Sequence, residues 1–286
     1  MSRFSRLYYY SLLGAIGGLI GWQASNVLGL SFTDNLYLSE VVVGGLIGFF
    51  IGALIGISEG FAARSPLFAL RSGLLSGLFG MLGGAIGLPL AEAGFQALGG
   101  EAWTRALGWA LFGGLIGAGI GFTSGSQLWK PVLGGVLGGA VGGALLELAR
   151  ARLADPLVGK AAGLGLVGAA VGAFIALIVL LLSRAWLEVV TGKLKGTEFI
   201  LDKFIHASGP SAFVGSDALK ADIVLPDPDI APQHAILKGA DSHMTLKDLS
   251  RQGTFINNRK IELADLQDEQ AIRMGNTQMV YHEKKR

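Results

Sequence analysis

The sequence contains no cysteine and few charged residues, and both shortages limit what the protein can be. Without cysteine among its 286 residues, the chain has no disulfide, no thiolate zinc site and no cysteine nucleophile. Only 15% of the residues are charged, whereas 51% are hydrophobic. Proline is also scarce, with 8 residues beside 45 glycines. Because the glycines lack a three-residue period and lie among apolar residues, the chain is neither collagen nor a flexible linker.

The character of the sequence changes near residue 195. The first part carries 12 basic and 8 acidic residues, and its long apolar stretches are rich in glycine. The second part carries 11 basic and 13 acidic residues, and short alternating segments replace the long ones. A net negative second part argues against nucleic-acid binding. We therefore expect a membrane domain over residues 1–192 and a soluble domain over residues 193–286.

Six segments of the first part are long and apolar enough to cross a membrane as helices. They are Leu7–Leu28, Leu36–Ser58, Leu67–Ala91, Trp103–Gly125, Pro131–Leu148 and Val158–Val189. The first could be a signal peptide, but no convincing cleavage site follows it. With the N terminus inside, eight Lys and Arg residues lie on the inner side and four on the outer side. This favours an integral protein of the plasma (inner) membrane with both termini in the cytosol.

Glycines four residues apart form two stripes in this part of the chain. The first stripe is Gly44, Gly48, Gly52 and Gly56, and the second is Gly113, Gly117, Gly121 and Gly125. Such stripes let helix backbones approach closely, so we expect tight packing rather than a glycine-lined conduit. They could also receive a second copy of the chain or a membrane-protein partner.

The membrane segments contain related motifs. The pattern Gly-Ala-Ile-Gly at 14–17 and 84–87 returns as Gly-Ala-Val-Gly at 139–142. These motifs lie in the first, third and fifth segments, which favours three tandem helical hairpins. The alternative is that any glycine-rich membrane sequence matches itself.

Ionisable residues lie mainly near the ends of the segments, where they do not form a path across the bilayer. Glu92 and Glu147 follow the repeated motif at the same distance and could form an outer acidic site. Arg105, Arg150 and Arg152 are close enough in sequence to pair with them instead. A channel or transporter is therefore the second hypothesis.

From Gly196 onward, short alternating segments separated by Gly, Pro, Asp and Asn predict a β-sandwich of about 90 residues. Five motifs occur in order: Phe-Val-Gly-Ser at 213–216, Ala-Asp-Ile-Val-Leu at 221–225, Ile-Ala-Pro-Gln-His at 230–234, Leu-Lys-Asp-Leu-Ser-Arg-Gln-Gly-Thr-Phe-Ile-Asn at 246–257, and a segment closing at Gly275. This series resembles the forkhead-associated (FHA) family. The resemblance implies an eleven-stranded β-sandwich whose loops at one end bind phosphothreonine peptides.

Three positions depart from the family pattern. The family has Arg, Ser and Asn where this chain has Ser216, Ala231 and Gln252. In the family, the Arg and the Ser hold the phosphate and the Asn grips the peptide backbone. Losing a charge-assisted contact of an Arg with phosphate removes about 1.5–3 kcal/mol. We therefore expect protein binding that does not need phosphate, through loops that contain Ser216, Lys220, Ala231, Gln233, Arg251, Gln252 and Asn257.

The sequence thus predicts a membrane all-α bundle of six glycine-rich spans followed by an all-β FHA-like sandwich. We expect a membrane-anchored scaffold that binds a protein partner in the cytosol. The alternatives are a small channel or transporter regulated by the FHA-like domain, and a phosphothreonine receptor with a rebuilt site. We expect no enzyme, because no nucleophile–base pair or metal cluster is visible, and no cofactor or nucleic acid as a ligand.

Overall fold

The computed structural model describes residues 3–29, 36–62, 65–99, 102–240 and 243–284, which form six helices followed by a β-sandwich. The helices are α1 (Arg3–Val27), α2 (Leu36–Ala62), α3 (Pro66–Ala97), α4 (Ala102–Thr123), α5 (Trp129–Arg152) and α6 (Pro156–Leu182). This confirms the predicted order of a helical domain and an all-β domain. Within these described ranges, five helices are long and apolar enough to cross a membrane, and α1 is the helix outside that set.

Two helices begin at local sequence signals. Ser65 precedes α3, and its hydroxyl oxygen accepts a hydrogen bond from the backbone N–H of Phe68. Asp155 does the same before α6, where its carboxylate accepts from the N–H of Leu157 at 2.8 Å. A proline follows each of these residues, and its fixed backbone angle suits the first position of a helix.

The six helices pack as a closed ring. Each helix contacts its neighbours along the chain, α1 also contacts α6, and α2 contacts α4 across the interior. Branched and aromatic side chains of α2, α4 and α6 fill this interior, and none of them is more than 1% exposed: Ile47, Ile51, Ile55, Phe112, Ile116, Ile120, Val167, Val171 and Ile175. The centre of the ring is therefore a packed apolar core.

Both glycine stripes lie at contacts within the chain. A Cβ atom on Gly48 would overlap the carbonyl oxygen of Gly80, and the rest of that stripe faces the backbone of α3 in the same way. In the second stripe, Gly113 and Gly117 face the backbone of α5, Gly121 meets the side chains of Leu128 and Pro131, and Gly125 meets the carbonyl oxygen of Ile200 in the sandwich. The chain itself therefore occupies these surfaces, and they are not free to receive a second copy or a partner helix.

The repeated glycine motifs occupy corresponding contacts. The motifs lie in α1, α3 and α5, the first helix of each predicted hairpin. A Cβ atom on the first glycine of a motif would overlap a backbone carbonyl of the last helix of the preceding hairpin in the ring. Gly84 meets α2, Gly139 meets α4, and Gly14 meets α6, which closes the ring. These contacts show a shared packing role for the three motifs.

The sandwich consists of eleven strands in two sheets. The strands are β1 (Ala185–Val189), β2 (Glu198–Ile200), β3 (Ala212–Gly215), β4 (Ile223–Val224), β5 (Ala235–Gly239), β6 (Met244–Asp248), β7 (Thr254–Ile256), β8 (Arg259–Ile261), β9 (Leu263–Leu266), β10 (Ala271–Met274) and β11 (Thr277–Glu283). One sheet has the order β2-β1-β11-β10-β7-β8 and the other β4-β3-β5-β6-β9. A short 3₁₀ helix, Asp202–Phe204, follows β2. The strand number agrees with the one implied by the FHA resemblance.

The sixth helix is shorter than predicted. It ends at Leu182 rather than Val189, and β1 begins only three residues later. In β1, Ala185, Leu187 and Val189 are buried while the residues between them are partly exposed, which is the two-residue period of a strand. β1 therefore lies within the range that we assigned to the membrane domain, and no flexible tether connects the two folds.

Candidate functional site

Three loops meet at one end of the sandwich and contain six of the seven predicted binding residues. The β3–β4 loop supplies Ser216 and Lys220, the β4–β5 loop Ala231 and Gln233, and the β6–β7 loop Arg251 and Gln252. The side-chain amide of Gln233 donates to the carbonyl oxygen of Lys220 at 3.1 Å, which joins the first two loops. The structure therefore brings these six residues to one end of the domain.

Ser216 and Ala231 lie side by side across two of these loops. The backbone N–H of Ser216 donates to the carbonyl oxygen of Ala231 at 3.0 Å. The hydroxyl of Ser216 donates to the carbonyl oxygen of Ile230 at 2.8 Å. Since that hydroxyl proton is already used within the protein, it is not available to a ligand phosphate in this arrangement. Gly215 permits the close approach, because a Cβ atom there would overlap the carbonyl oxygen of Pro232.

His234 braces the loops from inside. Its Nδ1 accepts a hydrogen bond from the N–H of Ala231 at 3.1 Å, which leaves Nε2 to carry the proton. Nε2 lies 3.3 Å from the carbonyl oxygen of Gly253 and 3.2 Å from Oγ of Ser250. Asp248 completes the network by accepting a hydrogen bond from the hydroxyl of Thr254 at 2.9 Å. Burial lowers the pKa of His234, so the neutral ring is the form that the folded loops contain.

The charge around the loops is mixed. Lys220 and Arg251 are exposed, and the ammonium of Lys220 lies 3.9 Å from the carboxylate of Asp217. Lys260, which the sequence analysis did not select, extends over Gly253 from β8, and its Nζ lies 3.0 Å from the position of a Cβ atom there. In the sequence, the only signal for this contact is that Lys260 follows β7 across a short hairpin, which brings it back toward Gly253. These residues give the loops basic groups that are partly offset by Asp217.

Asn257 is separate from the other six predicted residues. It begins the two-residue turn between β7 and β8, where Asn257 and Asn258 have φ angles of 47° and 67°. The three residues of β7 lie between it and Gly253, which puts the two about 13 Å apart at ~3.3 Å per residue. Its side-chain oxygen accepts from the N–H of Ala271 at 3.2 Å. This contact gives Asn257 a structural role in the hairpin.

A buried ion pair fixes the sandwich to the helical domain. Nζ of Lys130, in α5, lies 2.6 Å from Oδ2 of Asp202, and the two side chains are 2% and 0% exposed. The ammonium also donates to the carbonyl oxygen of Leu182 at the end of α6, at 2.8 Å. The second carboxylate oxygen of Asp202 accepts from the N–H groups of Arg184 and Ala185. Sequence analysis missed this pair, whose members lie 72 residues apart.

Further contacts extend this junction. The backbone N–H of Lys203 donates to the carbonyl oxygen of Gly125 at 2.8 Å. The guanidinium of Arg6 reaches the carbonyl oxygen of Glu198 at 3.4 Å and lies 3.5 Å from the carboxylate of Glu59. The helical domain therefore contacts the sandwich through both α1 and the α4–α5 loop, in addition to Lys130.

Charged residues also gather at the opposite end of the helices. Arg105 lies 2.9 Å from Glu92 and 3.7 Å from Glu147, and Arg150 lies 3.1 Å from Glu147. These residues and Glu40 line a cavity of about 290 Å³. The two glutamates that could have formed an acidic site are thus paired with arginines. Over the described part of the chain, no group of three or more His, Asp or Glu residues is placed to hold a metal ion.

Comparisons with known proteins agree with the fold of the second domain. Residues 188–285 match the family described as the inner membrane component of T3SS, cytoplasmic domain. The FHA domain of the CT664 protein from Chlamydia trachomatis is 37% identical, and the match covers 36% of this chain and 100% of that one, with a TM-score of 0.32. No match is found among the curated proteins.

Two further solved structures are less similar in sequence. The cytoplasmic domain of the T3SS sorting platform protein PscD from P. aeruginosa is 22% identical, with 36% of this chain and 82% of that chain covered and a TM-score of 0.31. The first FHA domain of Rv1747 from Mycobacterium tuberculosis is 24% identical, with 36% and 99% covered and a TM-score of 0.29. Together with the eleven-stranded sandwich, the 37% identity over a complete FHA domain shows that the C-terminal domain of this chain belongs to the forkhead-associated family.

Proposed function

We propose that the chain is a non-enzymatic membrane scaffold whose FHA-like domain recruits a protein partner in the cytosol without requiring phosphothreonine. The family match supports this proposal, because that family is described as the cytoplasmic domain of an inner membrane component of T3SS. PscD, which is similar to this chain over the same domain, is described as a T3SS sorting platform protein. By this analogy the helices lie in an inner membrane and the C-terminal domain faces the cytosol. We infer that α1, which packs between α2 and α6, makes a sixth crossing and returns the N terminus to the same side.

The geometry at Ser216 and Ala231 carries the proposal that phosphate is not read. The hydroxyl of Ser216 donates within the protein, and Ala231 offers only a methyl group. Asp217 adds a negative charge to the same loop. A phosphate dianion would meet this carboxylate, with the basic groups of Lys220, Arg251 and Lys260 to compensate but without the Arg and Ser of the family, so bare protein surfaces are favoured as ligands.

The junction supports the scaffold part of the proposal. Because Lys130 and Asp202 are buried and paired, the sandwich has a fixed orientation on the helices, unlike a domain on a flexible linker. We accordingly place the domain boundary between Leu182 and Ala185 rather than at residue 192. A rigid mount determines the distance and direction at which a recruited protein stands from the membrane.

The helical interior supports an anchor more than a channel. Side chains such as Ile51, Ile116 and Ile175, none of them measurably exposed, occupy the centre of the ring. Opening a path for a solute would require these packed side chains to move apart together. Six helices also give the sandwich a broad base, which a single span would not provide.

The test uses the full-length chain in lipid nanodiscs and an array of threonine peptides, each present in phosphorylated and bare form. We expect no preference for the phosphorylated members. The double variant S216R/A231S restores the two phosphate-holding residues of the family, and we expect it to prefer phosphorylated peptides at least tenfold. S216A serves as the matched control, because it removes the hydroxyl without adding a phosphate-binding group.

A strong preference of the unmodified chain for phosphorylated peptides would contradict the proposal. If that preference disappeared in the variant R251Q/K260Q, the site would be a rebuilt phosphate receptor. For partner binding, a photo-crosslinking amino acid at position 231 should capture a protein in cells, whereas the same group at exposed Leu157, at the opposite membrane face, should not capture that protein. Failure to crosslink any protein at position 231 or in the neighbouring loops would remove the support for recruitment.

A further inference from the structure

A cavity of about 180 Å³ lies between the helical domain and the FHA-like domain. One wall comes from the beginning of α3 and the end of α4, and the other comes from β2, the 3₁₀ helix and the β3–β4 loop. Because the sandwich is attached directly to these helix ends, the cavity lies at the depth where the headgroups of the adjacent lipid leaflet begin. Its position therefore makes it accessible to lipid as well as to water.

Among the residues that the structure describes, the charges that line the cavity are balanced. Arg6 and Glu59 form an ion pair at 3.5 Å and neutralise each other. The remaining charged residues of the lining are two basic and two acidic ones: Arg71, Lys203, Glu198 and Asp222. Arg71 and Asp222 are exposed, and Lys203 is partly buried. Such a lining suits a ligand that carries one positive and one negative group better than it suits a pure anion.

Apolar residues lead from the cavity into the membrane region. Phe68, Leu75 and Phe122 line the same space, and Phe122 is 52% exposed. The outer face of α3 beside it is also apolar and exposed, through Leu67, Leu70, Leu74 and Leu78. A ligand with a charged head and an apolar tail matches these surfaces, because its head contacts the charged lining and its tail contacts the apolar face of α3.

We propose that this cavity binds the headgroup of a zwitterionic aminophospholipid, of which phosphatidylethanolamine is the simplest example. The phosphate lies between the guanidinium of Arg71 and the ammonium of Lys203, where charge-assisted hydrogen bonds form. The ammonium group of the lipid lies toward Asp222, and an acyl chain follows Phe122 and the exposed face of α3. The lipid then contacts both domains and becomes part of their junction.

The experiment measures lipid binding to the full-length chain by native mass spectrometry, with phosphatidylethanolamine added stepwise to the protein in a mild detergent. We expect one tightly retained lipid, and we expect R71Q/K203Q to weaken its retention at least tenfold. R152Q is the matched control, since Arg152 is exposed at the opposite end of the helices. D222N should weaken phosphatidylethanolamine binding severalfold while leaving phosphatidylglycerol binding unchanged.

Several results would overturn the proposal. Equal lipid retention by the unmodified chain and by R71Q/K203Q would show that the two cations do not hold a phosphate. Tighter binding of phosphatidylglycerol than of phosphatidylethanolamine would exclude the zwitterionic headgroup. Glycerophosphoethanolamine that bound as tightly as the intact lipid would show that the site takes a soluble phosphate compound. If the double variant did not fold, lipid retention by R71Q alone would test the proposal, because Arg71 is exposed and its substitution should not disturb the fold.

Discussion

Helix α3 of the helical domain and the sandwich bury their surfaces with opposite kinds of residue. The buried face of α3 consists only of small residues: Ala69, Ser72, Gly73, Ser76, Gly77, Gly80, Gly83, Gly84, Gly87 and Ala91. The sandwich core instead consists largely of bulky side chains such as Leu187, Leu237, Met279 and Tyr281, each at most 1% exposed. The contacts of α3 with its neighbours therefore bring backbones together, whereas the sandwich core encloses side chains.

The difference follows from the solvent of each domain. In water, burying apolar side chains stabilises a fold by about 25 cal/mol per Å², so bulky residues are favoured inside. In lipid this driving force between helices is missing, and close van der Waals contact of backbones takes its place. The same change in side-chain size should therefore alter the stability of the two domains differently. Their junction should be sensitive to the loss of a buried charge instead.

The largest expected effect lies at that junction. In K130M, the carboxylate of Asp202 stays buried without its cation, and breaking such a pair costs about 3–5 kcal/mol. We expect the sandwich to separate from the helices while both domains stay folded. Hydrogen exchange of residues 198–206 in the full-length chain measures this, and it should rise at least tenfold.

The double variant K130M/D202N controls for the lost charge. Removing both charges should restore part of the protection, because a neutral Asn can still accept from Arg184 N–H. Unchanged exchange in K130M would mean that the other contacts, such as the one between Lys203 and Gly125, hold the domains together without the ion pair.

The sequence predicted the elements better than it predicted the place where they join. Long apolar segments located all six helices, and a two-residue alternation located most strands, because each signal lies within one continuous segment. The end of α6 carries only a short signal, the polar pair Ser183 and Arg184, after which apolar residues resume at Ala185, Trp186 and Leu187. The N–H groups of Arg184 and Ala185 bond to Asp202, a residue distant in sequence, so this end depends on tertiary structure.

The site shows the same limit. The order of short motifs located the loops that contain Ser216, Ala231 and Arg251, because each motif of the FHA resemblance is a short continuous segment. It did not show that the hydroxyl of Ser216 bonds to Ile230, nor that Lys260 covers Gly253. Both contacts join different loops or strands, and a single sequence does not contain the distances between them.

An intermediate effect tests the packing of the helices. In G48A, the new methyl group would overlap the carbonyl oxygen of Gly80, so α2 and α3 must move apart. Overpacking of this kind costs about 1–3 kcal/mol. G165A is the matched control, since its methyl group would have no neighbour closer than 3.7 Å. Thermal unfolding of the helical signal in detergent should shift downward in G48A and stay within about 0.5 kcal/mol in G165A. Equal behaviour of the two variants would contradict packing through backbone contact.

The smallest expected effect concerns pH and the loops of the sandwich. Burial lowers the pKa of His234 below the ordinary value of about 6.5, so the unfolded chain binds a proton more readily than the folded one. The stability contributed by the neutral ring is therefore complete above that ordinary pKa and is lost as pH falls through and below it, at about 1.4 kcal/mol per unit of pKa difference.

The geometry agrees with the effect of burial, because Nδ1 accepts a hydrogen bond from Ala231 N–H, which a doubly protonated ring cannot do. Asn at position 234 keeps an acceptor for this N–H but does not titrate. Thermal unfolding of the sandwich in the full-length chain should therefore lose more stability between pH 7.5 and pH 5.5 than it does in H234N. If both proteins lost the same amount, the acid sensitivity would come from the surface carboxylates, and the brace formed by His234 would tolerate a charged ring.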